Sequence, residues 1–572
     1  MSYRVGLLIL AAFLTGIYVL FAIATRPPEP PEHQVFINGH ILTLDADNTI
    51  AEALSVRGDR IEAVGTAESL LAEATDATMV TDLRGRTLMP GIVDAHGHFP
   101  GSGQVVFSAN LNSPPMGTIE TMPQLIDALK DYAQQRPDGW IRGFGYDDTL
   151  LAEGRHPTRY DLDQVSTERP VAVLHTSGHL AAVNSVALAE MGITAASADP
   201  KGGHIQRFGQ GEAGEPGEPN GVLEETAARL VMQETLNIGA MDAIRMTTHA
   251  AREYLEQGVT TASAGGMPAM LADLLGPLSR FNVYPQRVAL FPLMEEVEQQ
   301  VLNEGWRPES LAAGRMVVPR VKIIADGSIQ GFTGYLTEPY YTPFEGDAEY
   351  RGYPSVSRED LFHQLEGLYR ERVQAAIHCN GDASLDDTLD AIEAAQAAHP
   401  WPDARPLIIH AQLAREDQIA RMAELGVTPS FFPSHTYYWG DRHAGMFVGP
   451  ERAQNLSPAQ WALDYGVRFS GHQDTPVTPM LPMQIVWSQT QRQTRSGEVL
   501  GPEQRISRMQ ALRSITIDAA WQVFMDDQIG SIEPGKLADL VVLSGDPLTE
   551  DDVRTLRVEN TYIGGAEVWS RR

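Results

Sequence analysis

The hydrophobic pattern divides the chain into an apolar leader and a long region where short apolar runs alternate with amphipathic ones. Val5 to Ala24 is an uncharged run of 20 residues; as a helix it would reach roughly 30 Å, the thickness of a bilayer core. Arg4 precedes it, and Thr25-Arg26-Pro27-Pro28-Glu29-Pro30-Pro31 follows as a stiff, proline-rich exit. Residues 1–26 therefore read as an N-terminal transmembrane helix, with the bulk of the protein outside the cytoplasm, in the periplasm if the source is Gram-negative. The rival reading is a signal segment cleaved after Ala22-Ile23-Ala24, which would release a secreted protein.

From Gln34 to about Val80 the pattern is one of short strands punctuated by turns, as in Val35-Phe36-Ile37-Asn38-Gly39. Similar segments return at Ile529–Leu543 and Val558–Val568, so residues 34–85 and 515–572 are expected to complete one small β-sandwich. Between them, apolar runs alternate with helical stretches such as Asp360–Glu371 and Ala414–Leu425, the signature of βα units. Eight strands are expected to end near His98, Gly265, Phe291, Asp326, His378, His410, Phe432 and Asp474. The expected fold class is α/β, a (β/α)₈ TIM-like barrel over residues 86–514. Residues 100–237 are too long for one connection and read as an inserted subdomain, within which the Gly-, Glu- and Pro-rich stretch Lys201–Asn220 reads as a loop.

Composition narrows the function classes. An apolar fraction of 43% over 572 residues supports a large core with accessory structure. A formal charge of −31 and the lack of a basic run disfavour a nucleic-acid partner and leave a small-molecule substrate as the expectation. Cys379 is the single cysteine, which excludes an internal disulfide and thiolate-rich metal sites. The oligomeric state does not follow from these data.

The chemistry concentrates at the expected strand ends. Met89-Pro90-Gly91-Ile92-Val93-Asp94-Ala95-His96-Gly97-His98 sets two histidines two apart, and a strand's period of 2 would aim both at one ion. Alone, His-x-His also occurs as an incidental surface pair. His378 and His410 each close an apolar run, at the barrel face where active sites assemble. Lys322 lies within Val321-Lys322-Ile323-Ile324, where an ammonium ion pays a large desolvation cost. It is either a modified lysine beside metal ions, or one that snorkels to the rim or pairs with a carboxylate such as Asp326. Asp474 closes the last strand as a ligand, or caps the following helix. Together these groups suit Zn²⁺, with Mn²⁺, Fe²⁺ or Co²⁺ as alternatives, and fit two ions better than one.

These residues resemble the amidohydrolase superfamily, in particular its amidohydrolase family 3 branch, which includes N-substituted formamide deformylase-like metal-dependent hydrolases. The likeness runs from about Gln34 to Val568 and rests on Leu88–His98, Trp140–Asp147, Gly178–Asn184, Gly217–Leu223 and Gly530–Asp539. It implies His96 and His98 on the more buried ion, a CO₂-derived carbamate on Lys322 bridging two divalent ions, and His378 and His410 on the outer ion. Asp474 would be the remaining ligand and the proton-transfer group. The activity implied is hydrolysis of a C–N bond in an amide, N-acyl or N-formyl compound by a metal-bound hydroxide. Gly471-His472-Gln473-Asp474 stands where many relatives carry a shorter Gly-Ser-Asp pattern, and Asn380-Gly381-Asp382 follows His378-Cys379 where an apolar residue is common. By the same likeness His179 is a substrate contact, with a structural hydrogen bond as its alternative. His435 and Trp439, in the cluster after the seventh strand, either line the pocket or stabilise a long loop. Esters or lactones could serve as substrates of the same site, and a membrane-tethered binding protein that abandoned catalysis, or a metal-free or mononuclear lyase or isomerase, are the other readings.

Overall fold

The computed structural model describes residues 28–572 apart from 210–216, 236–237, 268, 304, 306, 308–311 and 313. The expected span Val5–Ala24 lies outside the described residues. Among the described residues no helix is long and apolar enough to cross a membrane.

Two parallel sheets carry the site. One is built from Ile92–Val93, Val259–Met267, Arg287–Pro292 and the short Met316–Val317; the other from Arg320–Ile324, Gln374–Cys379, Leu407–His410, Thr428–Phe431 and Ser470–Gly471. An isolated parallel bridge between Leu293 and Lys322 links the two sheets on one side. On the other, Asp474 N donates to His96 O at 3.3 Å and His98 N to Thr475 O at 2.8 Å.

Helices between these strands cover their outer faces. Arg358–Glu371 starts where the Ser357 hydroxyl accepts from Asp360 N, and Glu416–Leu425 stops at Gly426, whose φ of 64° reverses the chain at no steric cost. In Arg320–Ile324 the pleat sends Val321 and Ile323 outward into a core shared with Leu361, Leu365 and Leu368. Lys322 consequently faces inward.

The two ends of the chain share one sheet: Leu540–Leu543 pairs antiparallel with Thr87–Pro90, which in turn pairs in parallel with His40–Leu42. Facing it is a four-stranded sheet of Arg60–Gly65, Ala53–Arg57, His33–Ile37 and Met79–Asp82. Phe36 and Tyr562 meet edge to face at 5.4 Å within the apolar layer they share with Leu54, Leu88 and Leu540.

A fifth sheet comes from residues 109–225, in the order Gly203–Arg207, Pro219–Glu225, Leu180–Val183, Val171–His175, Ile141–Tyr146, Ala109–Asn110. The stretch 201–220, expected as a loop, instead contributes Gly203–Arg207 and the start of Pro219–Glu225, which pair antiparallel. Composition misleads there because Ile205, Val222 and Leu223 are buried and hold the hairpin down.

One polar link ties the terminal sheet to the parallel sheets. Arg287 grips both oxygens of Asp539, at 3.0 and 3.2 Å, and Gly564 N donates to Asp539 Oδ1 at 2.7 Å. The Asp539 side chain is only 2% exposed. Arg287→Met strands this carboxylate, and we expect a loss of about 3–5 kcal/mol, read as a lower urea midpoint. Adding Asp539→Leu should restore much of it; a double variant as unstable as the single one would show that the pair is not the cause.

Candidate active site

Six side chains converge where the parallel strands end. His378 is the penultimate residue of Gln374–Cys379 and His410 the last of Leu407–His410, each following its apolar run. His96, His98 and Asp474 differ from expectation, because the strands before them stop at Val93 and Gly471. These three residues lie in the turns beyond, held by main-chain bonds: Asp94 N to Thr261 O at 2.9 Å and Gly265 N to Gly97 O at 2.8 Å. Gly265 has no side chain because His96 occupies the space; a Cβ there would come within 2.4 Å of the ring.

Asp474 is the centre of the group. Its Oδ1 lies 3.2 Å from His96 Nε2 and 3.1 Å from His98 Nε2, and its Oδ2 lies 3.9 Å from His410 Nε2. Lys322 Nζ is 2.9 Å from His96 Nε2. The His378 and His410 rings meet edge to face, with centroids 4.5 Å apart. His98 Nδ1 donates to the Gly265 carbonyl at 2.6 Å, which leaves the Nε2 lone pair directed at the centre.

Burial sets the charge states. It pushes His96, His378 and His410 well below the usual histidine range, so all three are neutral ligand-type imidazoles. Burial also drives Lys322 down to about 8, the Arg320 guanidinium assisting against the pull of Asp474. On Asp474 burial acts in the opposite sense, yet His96 and His98 outweigh it and hold the carboxyl well below its usual range.

A divalent ion suits these residues. Asp474 Oδ1 is buried and has no hydrogen-bond partner, although two imidazole nitrogens sit 3.1–3.2 Å away. Ligand atoms of His96, His410 and Asp474 all fall within 4.8 Å of one another. Lone pairs that crowd together without hydrogen-bond alignment are the donor arrangement of a metal site, and nitrogen with carboxylate oxygen suits a first-row ion.

The centre opens into a cavity of about 230 Å³. His98, Lys322, His378, His410 and Asp474 form its floor, and Phe107, Phe144, Leu174, Met232, Met246 and Val477 much of its wall. His179 also lines it, its ring centred 4.8 Å from that of His378. His179 Nδ1 is 2.8 Å from Glu225 Oε2, and although burial opposes it, this carboxylate raises the imidazole above its ordinary value.

Glu225 was not singled out in the sequence, where it closes Asn220-Gly221-Val222-Leu223-Glu224-Glu225 as one of two adjacent acids. It is buried with φ of 51°, a left-handed conformation it shares with His410 at 74° and Asp474 at 57°. Three such residues facing one cavity mark a functional centre. Gly327 leaves room for it, since a Cβ there would lie 2.1 Å from Glu225 Oε1.

Other sequence candidates lie elsewhere. Asp326 does not pair with Lys322; it accepts from the main-chain N–H groups of Asn380, Gly381 and Tyr335 at 2.9, 2.8 and 3.1 Å, and sits 3.4 Å from His378 Nδ1. His435 and Trp439 are buried outside the cavity lining. His435 packs on Phe432 with centroids 4.1 Å apart, and the Trp439 indole donates to Asp147 Oδ2 at 3.2 Å. Arg442 reaches the same oxygen at 2.9 Å, tying the loop after Thr428–Phe431 to the 109–225 sheet.

Asp147, Asp148 and His175 also cluster closely, around the ion pair of Asp147 with Arg442. Ser177 N donates to His175 Nδ1, which puts the imidazole proton on Nε2, 3.2 Å from Asp148 Oδ1, while Asp147 is committed to Trp439 and Arg442.

A metal-suited cluster at the ends of parallel strands on the floor of a cavity defines a metal-dependent hydrolase. The chain belongs to the amidohydrolase family, whose model matches residues 79–569. It is 29% identical over 554 residues to an N-substituted formamide deformylase from Arthrobacter pascens, covering 94% of this chain and 98% of that one. A putative amidohydrolase, YtcJ, from Bacillus subtilis (strain 168) is 26% identical, covering 94% and 99%. An uncharacterized metal-dependent hydrolase from Pyrococcus horikoshii OT3 superposes with a TM-score of 0.70 at 24% identity, covering 91% and 99%, and shares the fold.

Proposed function

We propose that this protein hydrolyses the C–N bond of a small amide, N-acyl or N-formyl compound at a binuclear centre. The observation that carries this reading is the placement of Asp474 Oδ1 between the Nε2 atoms of His96 and His98, at the floor of the cavity. Likeness to a formamide deformylase over nearly the full chain supports a C–N rather than a C–O substrate. His96, His98 and Asp474 would hold one ion, His378 and His410 the other, and Lys322 as a carbamate would bridge them. Bound divalent ions polarise a carbonyl and lower the pKa of water.

The chain's own groups supply the rest. Asp474, whose carboxyl lies well below its usual range, takes the proton of the attacking water at a carboxylate oxygen and returns it to the leaving nitrogen. His179, held by Glu225, presents its other ring nitrogen to the substrate. The apolar wall admits a neutral, hydrophobic substituent and excludes water that would compete for these groups.

The wider architecture belongs to the same proposal. The Leu293–Lys322 bridge and the Asp474–His96 hydrogen bond support reading the two parallel sheets, with Met316–Val317 and Arg320–Ile324 taken as one interrupted strand, as one closed eight-stranded barrel over residues 86–514, with the insertion 100–237 above its mouth. Residues 34–85 and 515–572 would be its accessory sandwich. The apolar leader would place this unit outside the cytoplasm, anchored to a membrane.

Asp474→Asn should keep the fold and lower kcat on the best substrate of a panel of formamides, N-acyl amines, esters and lactones by about 10²- to 10⁴-fold. Wild-type activity confined to the esters would overturn the C–N assignment.

Carbamate formation (R–NH₂ + CO₂ → R–NH–COO⁻ + H⁺) requires neutral Nζ, the form favoured as pH rises through about 8. In metal-stripped protein supplied with ¹³C-bicarbonate, a carbamate resonance absent from Lys322→Ala should therefore grow between about pH 7 and 9. A resonance that is absent, or unchanged in Lys322→Ala, would contradict the modification.

A further inference from the structure

His472 is not among the six converging residues and does not line the cavity, yet it is fully buried beside them. Its Nε2 lies 3.1 Å from His410 Nδ1 and its Nδ1 lies 2.9 Å from Ser430 Oγ. The chain of contacts continues from Ser430 Oγ to Ser470 Oγ at 2.8 Å and from Ser470 Oγ to Gln522 Oε1 at 2.6 Å. It ends on the main chain, where Gln522 Nε2 donates to Pro429 O at 3.0 Å and to Thr428 Oγ1 at 2.7 Å, and Thr428 Oγ1 donates to Arg468 O at 2.6 Å.

The proton positions along this chain follow from its far end. Carbonyl oxygens only accept, so Pro429 O and Arg468 O orient the Gln522 amide with its NH₂ toward them and its oxygen toward Ser470. At 2.6 Å from that oxygen, Ser470 must donate its one proton to it. The same hydroxyl is also the donor toward Ser430 Oγ at 2.8 Å, a shared three-centre bond in which Ser430 accepts. The second lone pair of Ser430 Oγ accepts from His472 Nδ1–H once His410 Nε2 is read as the ligand atom, and His472 Nε2 then carries a lone pair. That lone pair accepts from His410 Nδ1–H, which leaves His410 Nε2 deprotonated on the side of Asp474.

We propose that His472 is a positioning residue: it selects the tautomer of His410 that offers Nε2 to a metal ion, and its own ring is held by the Ser430 hydroxyl oxygen. The proposal rests on reading His410 as a metal ligand. A ligand histidine is commonly oriented by a carbonyl or carboxylate acceptor; here a second imidazole takes that part. The opposite tautomer of His472 would put a proton on His410 Nε2, where an ion should sit.

The test is Zn²⁺ titration of the metal-stripped full-length protein against a chromophoric chelator, with thermal melting to check the fold. His472→Ala should weaken the outer Zn²⁺ equivalent by about 10- to 100-fold. His472→Gln, whose amide oxygen can accept from His410 while its NH₂ donates to Ser430, should retain most of the affinity. Ser430→Ala leaves both imidazoles in place but frees His472 to turn over, and should give a smaller loss than His472→Ala. Wild-type affinity in both alanine variants, or equal losses in His472→Ala and His472→Gln with normal melting, would overturn the proposal. His410→Ala, titrated alongside, isolates the underlying reading: unchanged affinity there refutes His410 as a ligand whatever His472 does.

Discussion

The approach of the Asp474 carboxylate to the Nε2 atoms of His96 and His98 is the contact on which the rest of the site depends. It joins the turn after the first parallel strand to the turn after the last, the segments also sewn together by the Asp474–His96 and His98–Thr475 main-chain bonds. Asp474 supplies the negative charge of this buried centre. Without it, Lys322 and the neutral imidazoles would face one another with no counter-charge.

The surrounding fold serves this contact at several levels. Parallel pairing sends Lys322, His378 and His410 to one end of adjacent strands, so three distant stretches of sequence deliver their side chains to the same place. Left-handed backbone at His410 and Asp474 re-aims side chains that an extended strand would direct elsewhere. The 109–225 sheet brings His179 and Glu225 over the centre, and its Asp147 holds the loop carrying Trp439. Specificity and chemistry therefore come from different parts of the chain: the wall from the insertion and neighbouring helices, the floor from the strand ends.

Much of this was legible in the sequence because burial leaves a clear mark. A lysine or histidine that interrupts or ends an apolar run, as Lys322, His378 and His410 do, has few explanations, and their positions followed from the strand pattern. His96, His98 and Asp474 were legible as a group, but their local geometry was not, since the flanking strands are only two residues long and the placement depends on main-chain bonds between distant turns. Glu225 escaped notice and His472 stood out only as a departure from the Gly-Ser-Asp pattern, for a related reason: a carboxylate after an apolar run resembles a turn residue, and a histidine's hydrogen-bond partner becomes apparent only when Ser430, 42 residues away, lies beside it. Trp439 shows the limit in the other direction. An aromatic residue next to an active-site strand suggests a pocket wall, but its indole N–H found a buried carboxylate instead.

Anomalous diffraction from crystals of the Zn²⁺-loaded protein tests the central claim most directly. The account predicts two zinc peaks per chain, one among His96, His98 and Asp474 and one at His378 and His410, with added density continuing from Lys322 Nζ. A single peak beside an unmodified lysine, or peaks only at surface carboxylates, would contradict it.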